Sequence, residues 1–236
     1  MPNYFFILPL QTQNDFMEEY LIHRNLYLDV ILDFENFVQA GICETCQSAE
    51  GTLRCLTCAG DHSWCRGCLI QSHQWLPFHK IQFWNGKCFQ DTNLIDQGFI
   101  WYLGHGGRQC PCSGIPQPWG GSHGSADAET THSSTLVIVH SSGVFKHKIW
   151  WCQCPGLDCD RHIQLLKAGL FPASIMRPST AFTFEVLDHF LIDALECKTS
   201  AMSFFQKIRR LTDNAFPDSI PVSDIWFLQL RHFSKY

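Results

Sequence analysis

The stretch that decides the fold is Cys43–His79, CETCQSAEGTLRCLTCAGDHSWCRGCLIQSHQWLPFH. Six cysteines fall into three knuckles of identical spacing, Cys43-x2-Cys46, Cys55-x2-Cys58 and Cys65-x2-Cys68, and are followed by His73 and His79. A two-residue gap lets both thiolates of a knuckle reach one ion about 2.3 Å away without backbone strain, and zinc imposes no competing geometry of its own. Eight soft or borderline ligands within 37 residues are enough for two tetrahedral zinc sites. Free thiols packed for their bulk have no reason to repeat that gap three times. Coordination is therefore expected to organise this segment in place of an apolar core. His62 is a substitute ligand by position, although it reads better as a loop histidine.

Spacing permits two pairings. In the interleaved one, Cys43, Cys46, Cys65 and Cys68 hold one ion while Cys55, Cys58, His73 and His79 hold the other. In the sequential one, the first two knuckles share an ion and Cys65, Cys68, His73 and His79 share the second. The segment resembles ZZ and B-box zinc fingers, in which a knuckle is followed by a paired-histidine end similar to HQWLPFH, and that resemblance implies the interleaved cross-brace.

A second, looser set is His105-x4-Cys110-x-Cys112 with Cys152-x-Cys154-x4-Cys159-x2-His162. A third zinc is expected on His105, Cys110, Cys152 and Cys154, with Cys112, Cys159 and His162 as competing ligands. Cys88 and Cys197 stand alone and read as core thiols.

Working outward, the chain has 236 residues, of which 45% are hydrophobic and 17% charged, the balance of a core-forming protein. Nineteen Phe, eight Trp and five Tyr exclude disorder along the whole length. No run approaches the roughly 18 to 20 apolar residues of a spanning helix. The N-terminal run Tyr4–Leu10 lacks a basic flank and contains Pro9, so it does not read as a secretory signal. An intracellular protein, nuclear or cytoplasmic, is expected, and there 13 cysteines are metal ligands more readily than disulfides.

The expected architecture is α+β: a small zinc-stabilised cross-brace module, a β-hairpin, then C-terminal helices. An N-terminal helical segment occupies 1–40, with helical rhythm from Asp15 to Phe37. The cysteine cluster spans 41–112, and a Gly, Ser and Pro-rich linker runs over 113–134. The region 135–236 holds the hairpin, Leu136 to Cys152 around Ser-Ser-Gly, and then the helices. Asp160 suits the cap of a short helix ending near Gly169. Apolar residues recurring at three and four predict a helix over Thr180 to Leu195, a second over Ser200 to Leu211, and a third from near Asp224.

Several blocks beyond the ligands follow one another in a recognisable order: RCLTC, KIQFWNGKCF, YLGHGGRQCP, VIVHSSGVFKHKIWWCQC, then QLLKAGLFPASIMRPSTAFTFEVLDHF and SAMSFFQKIRRLTDN. From about Asp15 onward the chain resembles the CxC type 2 cysteine cluster associated with fungal KDZ (Kyakuja, Dileera, Zisupton) transposases. In that family the cluster precedes a larger RNase H-like domain whose acidic residues bind divalent metal for strand transfer. This sequence ends at Tyr236 before such a domain, and it has DFENF where the family shows a basic stretch. The expectation is that this polypeptide alone carries out no nuclease or strand-transfer reaction.

A catalytic zinc motif of the His-Glu-x-x-His kind, a phosphate-binding loop and a Gly-x-Ser-x-Gly elbow are all missing from the sequence. Asp188, His189 and Asp193 read as a solvated helical face. The leading reading is a noncatalytic zinc-binding accessory module that recognises DNA or a basic peptide of a chromatin protein. Its competitors are a truncated transposase active only with a partner, and a RING-like ubiquitin ligase. Charge leans towards a peptide for the cysteine-rich half: residues 1–145 carry 6 basic and 13 acidic side chains, and 146–236 carry 11 and 9. Lys207, Arg209 and Arg210 are the cations expected to serve any DNA contact, with Arg54, Arg66 and Lys80 as an alternative patch.

Overall fold

The computed structural model describes residues 12–35, 41–60, 62–112, 133–154 and 160–220. Helix α1, Gln13–Glu35, comes first, and its large apolar side chains are exposed, Tyr20 at 62% and Ile22 at 80%. The helix forms as its rhythm predicts, but its apolar residues are spread round it, with Ile22 and Leu26 on the same side as Asp15 and Asp33; Phe37 lies outside the described residues.

The cysteine-rich segment is built from short pieces. Strands β1 (Gly41–Ile42) and β2 (Glu50–Gly51) pair antiparallel. Strands β3 (Leu53–Cys55), β4 (Ile81–Trp84) and β5 (Phe89–Thr92) form an antiparallel sheet in that order. Helix α2, Arg66–Ser72, lies between β3 and β4 in sequence. A bridge from Leu53 to Trp64, closed by two backbone hydrogen bonds of 3.0 and 2.9 Å, ties the strand to the helix entrance. The expectation that metal stands in for a core needs correcting here. Leu53, Trp64, Leu69, Ile81, Leu94 and Phe99 are buried together with Cys43 and Cys55. Their spacing is irregular because each comes from a different short element, which hid them from a periodicity argument.

The second unit is a five-stranded sheet in the order β6-β8-β7-β10-β9. Strands β7 (Ser133–His140) and β8 (Gly143–Trp150) make the expected hairpin. It begins two residues inside the expected linker, because Ser133 and Ser134 extend the ladder opposite Trp150 and Ile149; residues 113–132 of that linker lie outside the described ones. Strand β6 (Ile100–Tyr102) adds parallel to β8, although its sequence belongs with the cysteine cluster.

Helix α3, Arg161–Lys167, follows Asp160, whose backbone is extended at the cap although its side chain makes no capping bond. Strand β9 (Leu170–Pro172) then pairs with β10 (Thr180–Thr183), which lies parallel to β7. The helix expected from Thr180 therefore starts later. Thr180–Thr183 is strand, with all four residues buried, and α4 spans Phe184–Glu196. The β-branched threonines and Pro178 favour extension there, and Thr183 caps the helix by accepting from the Val186 N–H at 3.2 Å. Helix α5, Ala201–Thr212, is capped by Ser200 in the same way. Phe182, Val186, Phe190, Phe204, Phe205 and Ile208 bury α4 and α5 against Val139 of the hairpin. The helix expected near Asp224 falls outside the described residues.

No helix among the described residues is long and apolar enough to cross a membrane.

Candidate metal centres

Three groups of four donors come together, in each of which the ligand atoms all lie within 4.8 Å of one another. They are Cys43, Cys46, Cys65 and Cys68; Cys55, Cys58, His73 and His79; and His105, Cys110, Cys152 and Cys154. The first two groups interleave along the chain.

In the first group, Cys43 follows β1, and the chain doubles back: the Cys43 N–H donates to the Ala49 carbonyl at 2.7 Å and the Gln47 N–H to the Cys43 carbonyl at 2.9 Å. Gln47 takes a left-handed φ of +56° to make that turn. Cys65 occupies the N-cap of α2 and Cys68 its first turn, so the two thiols fall on one side of the helix. The Sγ atoms of Cys46 and Cys65 stand 3.9 Å apart.

The second group uses the same helix at its other end. His73 is the C-cap of α2 and donates its Nδ1–H to the Leu69 carbonyl at 2.9 Å, which leaves Nε2 as the lone-pair atom, 3.5 Å from the Cys58 Sγ. A backbone acceptor on the far nitrogen is how metal-ligating histidines are commonly oriented. His79 presents Nδ1 at 3.4 Å from both Cys55 Sγ and Cys58 Sγ. The Thr57 and Cys58 N–H groups donate to Cys55 Sγ at 3.4 and 3.3 Å, as a thiolate there requires.

The third group joins residues more than 40 apart. Strands β6 and β8 run parallel with Tyr102 opposite Trp150, so their exits lie side by side and deliver Gly104 beside Cys152. A Cβ on Gly104 would meet Cys152 Cβ at 3.1 Å, and φ at Gly104 is +84°. His105 itself sits at φ +47°, a conformation that costs a non-glycine residue about 1–2 kcal/mol. Such strain is concentrated where a side chain must be aimed. His105 Nε2 lies 3.2 Å from Cys152 Sγ and 3.2 Å from Cys154 Sγ, with Cys110 Sγ at 3.8 and 3.5 Å from the same two sulfurs. Gln164 of α3 clamps the Cys152 backbone, accepting from its N–H and donating to its carbonyl, both at 2.9 Å.

These separations suit a tetrahedral ion: at about 2.3 Å from sulfur and 2.0–2.1 Å from nitrogen, the edges of the tetrahedron are roughly 3.8 Å between sulfurs and 3.6 Å between sulfur and nitrogen. The protonation chemistry points the same way. Burial pushes the Cys55 thiol up, but His73 and the Cys58 and Thr57 amides outweigh it and bring it down to about 6. Cys110 is likewise brought to about 6 against burial by the Gln153 and Cys112 amides, and Cys46 to about 6 by Ser48. Their neighbours rise instead: Cys58 to about 11 through burial and Cys55, Cys68 to about 12 through Cys65, and Cys154 to about 12 through Cys112. In the second and third groups a lowered thiol thus stands beside a raised one, while in the first Cys43 and Cys46 are both lowered, Cys43 by the Cys46 and Cys65 amides, and Cys68 is raised.

The remaining candidates are placed elsewhere. His62 holds its ring 2.8 Å from the Ala59 carbonyl and 2.8 Å from a Glu44 carboxylate oxygen, outside the donor groups. Cys112 stands beside the third group with its Sγ 3.3 Å from that of Cys154. His162 lies on α3 apart from that group, and Cys159 is outside the described residues. Cys88 and Cys197 are exposed, not core thiols, since both fall in polar turns. Asp188 and His189 are exposed as expected, and Asp193 pairs with Lys207 at 2.9 Å. Of the cations expected to face DNA, Arg209 is buried and meets Asp218 at 3.1 Å and Arg54 is buried with its guanidinium 3.7 Å over the Phe89 ring, whereas Arg66 and Arg210 are exposed and Lys80 and Arg210 line one cleft.

Sequence reasoning missed three supporting residues. Gln164 and the Leu69 carbonyl carry no sequence signal, because each acts across the fold. Gly104 carries none either, because its role depends on the approach of Cys152 from a distant strand. It also missed His147, buried on β8 among Phe78, Phe99, Trp101 and Phe145, where desolvation pushes its pKa down to about 4 against the Pro77 backbone.

A mixed α and β chain whose cysteines and histidines gather into four-donor groups is a cysteine-cluster protein able to hold metal ions. Residues 94–216, just over half of the chain, match the family described as CxC2 like cysteine cluster associated with KDZ transposases, and the chain belongs to that family. The matched stretch contains the whole third group. No curated protein and no solved structure matches the chain.

Proposed function

We propose that the chain is a noncatalytic zinc-binding accessory module of a KDZ transposase-derived protein, holding three structural zinc ions and recognising a basic peptide. The observation that carries this reading is the gathering of three groups of four Cys and His donor atoms, each within 4.8 Å. Thiolate and imidazole donors select zinc over hard cations, and four protein donors close a tetrahedral ion with no position left for water or substrate. Closed sites organise structure; a catalytic zinc keeps one position open. The alternation of the first two groups supports a cross-brace of the ZZ and B-box kind, with α2 shared between the ions.

Recognition of a peptide is favoured over DNA because Lys207, Arg209 and Arg54 are engaged within the fold, and phosphate binding needs free cations. In this reading the protein works in the nucleus beside chromatin, where a basic tail offers lysines to the acidic half. The test is metal analysis of the full chain purified with zinc and reductant, then titration with a histone-tail peptide and with duplex DNA at two salt concentrations. Three zinc ions and tighter peptide binding are expected. Fewer than one ion per chain would remove the central claim, and tight, steeply salt-dependent DNA binding would reverse the choice of partner.

A further inference from the structure

The third group is the only one of the three, among the described residues, with a surplus thiol beside it. Cys112 does not belong to the four mutually close donors, yet its Sγ lies 3.3 Å from that of Cys154. That is closer than the 3.9 Å between Cys46 and Cys65 and the 3.8 Å between Cys110 and Cys152, thiols within single donor groups. It is also shorter than the roughly 3.8 Å edge that two sulfurs on one zinc ion keep. Cys112 is exposed and Cys154 partly so, whereas Cys110 and Cys152 are buried. Cys112 also lies in a turn at Pro111–Cys112, so closing to the roughly 2.05 Å of a disulfide does not require moving a strand.

We propose that Cys112 and Cys154 form a peroxide-sensitive dithiol whose oxidation releases the third metal ion. The inference rests on the reading of His105, Cys110, Cys152 and Cys154 as a zinc site. Cys112 sulfur attacks hydrogen peroxide: an S–O bond forms, the O–O bond breaks, and the departing hydroxide takes the thiol proton to leave as water. The product is a Cys112 sulfenic acid. Cys154, as a zinc-bound thiolate, then attacks that sulfur. The S–S bond forms, the S–OH bond breaks, and hydroxide leaves as a second water with a proton drawn from solvent. Two electrons pass from the sulfur pair to the peroxide. Cys154 no longer binds the ion, and the three donors left, His105, Cys110 and Cys152, do not close a tetrahedron. Placing an accessible thiol next to a resolving sulfur is the arrangement of reversible thiol sensors, and thiol reductant with added zinc restores the starting state.

The experiment uses the full zinc-loaded chain treated with hydrogen peroxide, with released zinc read by a chromogenic chelator and cross-links mapped by mass spectrometry of peptides. Wild type is expected to release one ion and to yield a Cys112 to Cys154 peptide pair lighter by two hydrogen atoms. Cys112→Ser is expected to bind as much zinc as wild type before treatment and to release it about tenfold more slowly. A variant that starts one ion short makes Cys112 a ligand and overturns the proposal. Release as fast as wild type, or a cross-link joining a different pair, overturns it as well. Cys152→Ser separates this from failure of the zinc reading: if that variant binds as much zinc as wild type, the third site is wrong, and the mass map still reports whether Cys112 and Cys154 close.

Discussion

Replacing Cys55 with serine tests whether coordination or packing holds the cysteine-rich segment. Cys55 is 8% exposed at the end of β3, with His79 Nδ1 at 3.4 Å and two backbone amides directed at its sulfur. Serine keeps the size but supplies a neutral hydroxyl, so the second group drops from four donors to three. Structural zinc contributes on the order of 10 kcal/mol in small metal-organised units. Against it stand six apolar side chains, Leu53, Trp64, Leu69, Ile81, Leu94 and Phe99, at roughly 1.5–3 kcal/mol each. The ion thus contributes about as much as the entire apolar core of the segment, and losing it should unfold Leu53–Trp84 while α4 and α5 stay folded on their own phenylalanine cluster. The assay is zinc stoichiometry with amide hydrogen exchange. One ion fewer is expected, with protection lost at Leu53 and Trp64, whose amides bond each other's carbonyls, and kept at Val137. Full zinc content with unchanged protection at Leu53 would refute the reasoning.

Two further outcomes follow from the buried His147 and the third group. Because burial holds His147 near 4, below the ordinary 6.5, the unfolded chain takes up a proton that the folded one refuses; stability is full above pH 6.5 and falls as the pH drops towards 4. At about 1.4 kcal/mol per pH unit the loss is about 2 kcal/mol at pH 5, and His147→Leu should remove that slope, so urea denaturation curves of variant and wild type that fall in parallel from pH 7 to 5 would show the histidine does not act this way. Gly104→Ala places a Cβ 3.1 Å from Cys152 Cβ at a left-handed φ, which should cost about 1–2 kcal/mol and weaken zinc at the third group only, read by competition with a chelator; unchanged affinity would show that the loop tolerates a side chain.

What the sequence determined by itself is local. Knuckle spacing is a property of a few consecutive bonds, so Cys43, Cys46, Cys55, Cys58, Cys65 and Cys68 announced themselves, as did the hairpin with its alternating β-branched residues and the start of a helix after Asp160. The family was legible for a similar reason, since the resemblance rests on contiguous blocks such as LFPASIMRPSTAFTF. The tertiary structure decided whatever depends on residues far apart in the chain. Phe182 fits a helical stripe as well as a strand, and only the parallel pairing with β7 made Thr180–Thr183 extended. Arg209 looked free in a cationic run until the fold buried it and brought Asp218 to it. The sequence already singled out His105, Cys110, Cys152 and Cys154 against competing ligands, but their gathering arises because β6 and β8 leave the sheet side by side, which no spacing within either segment encodes.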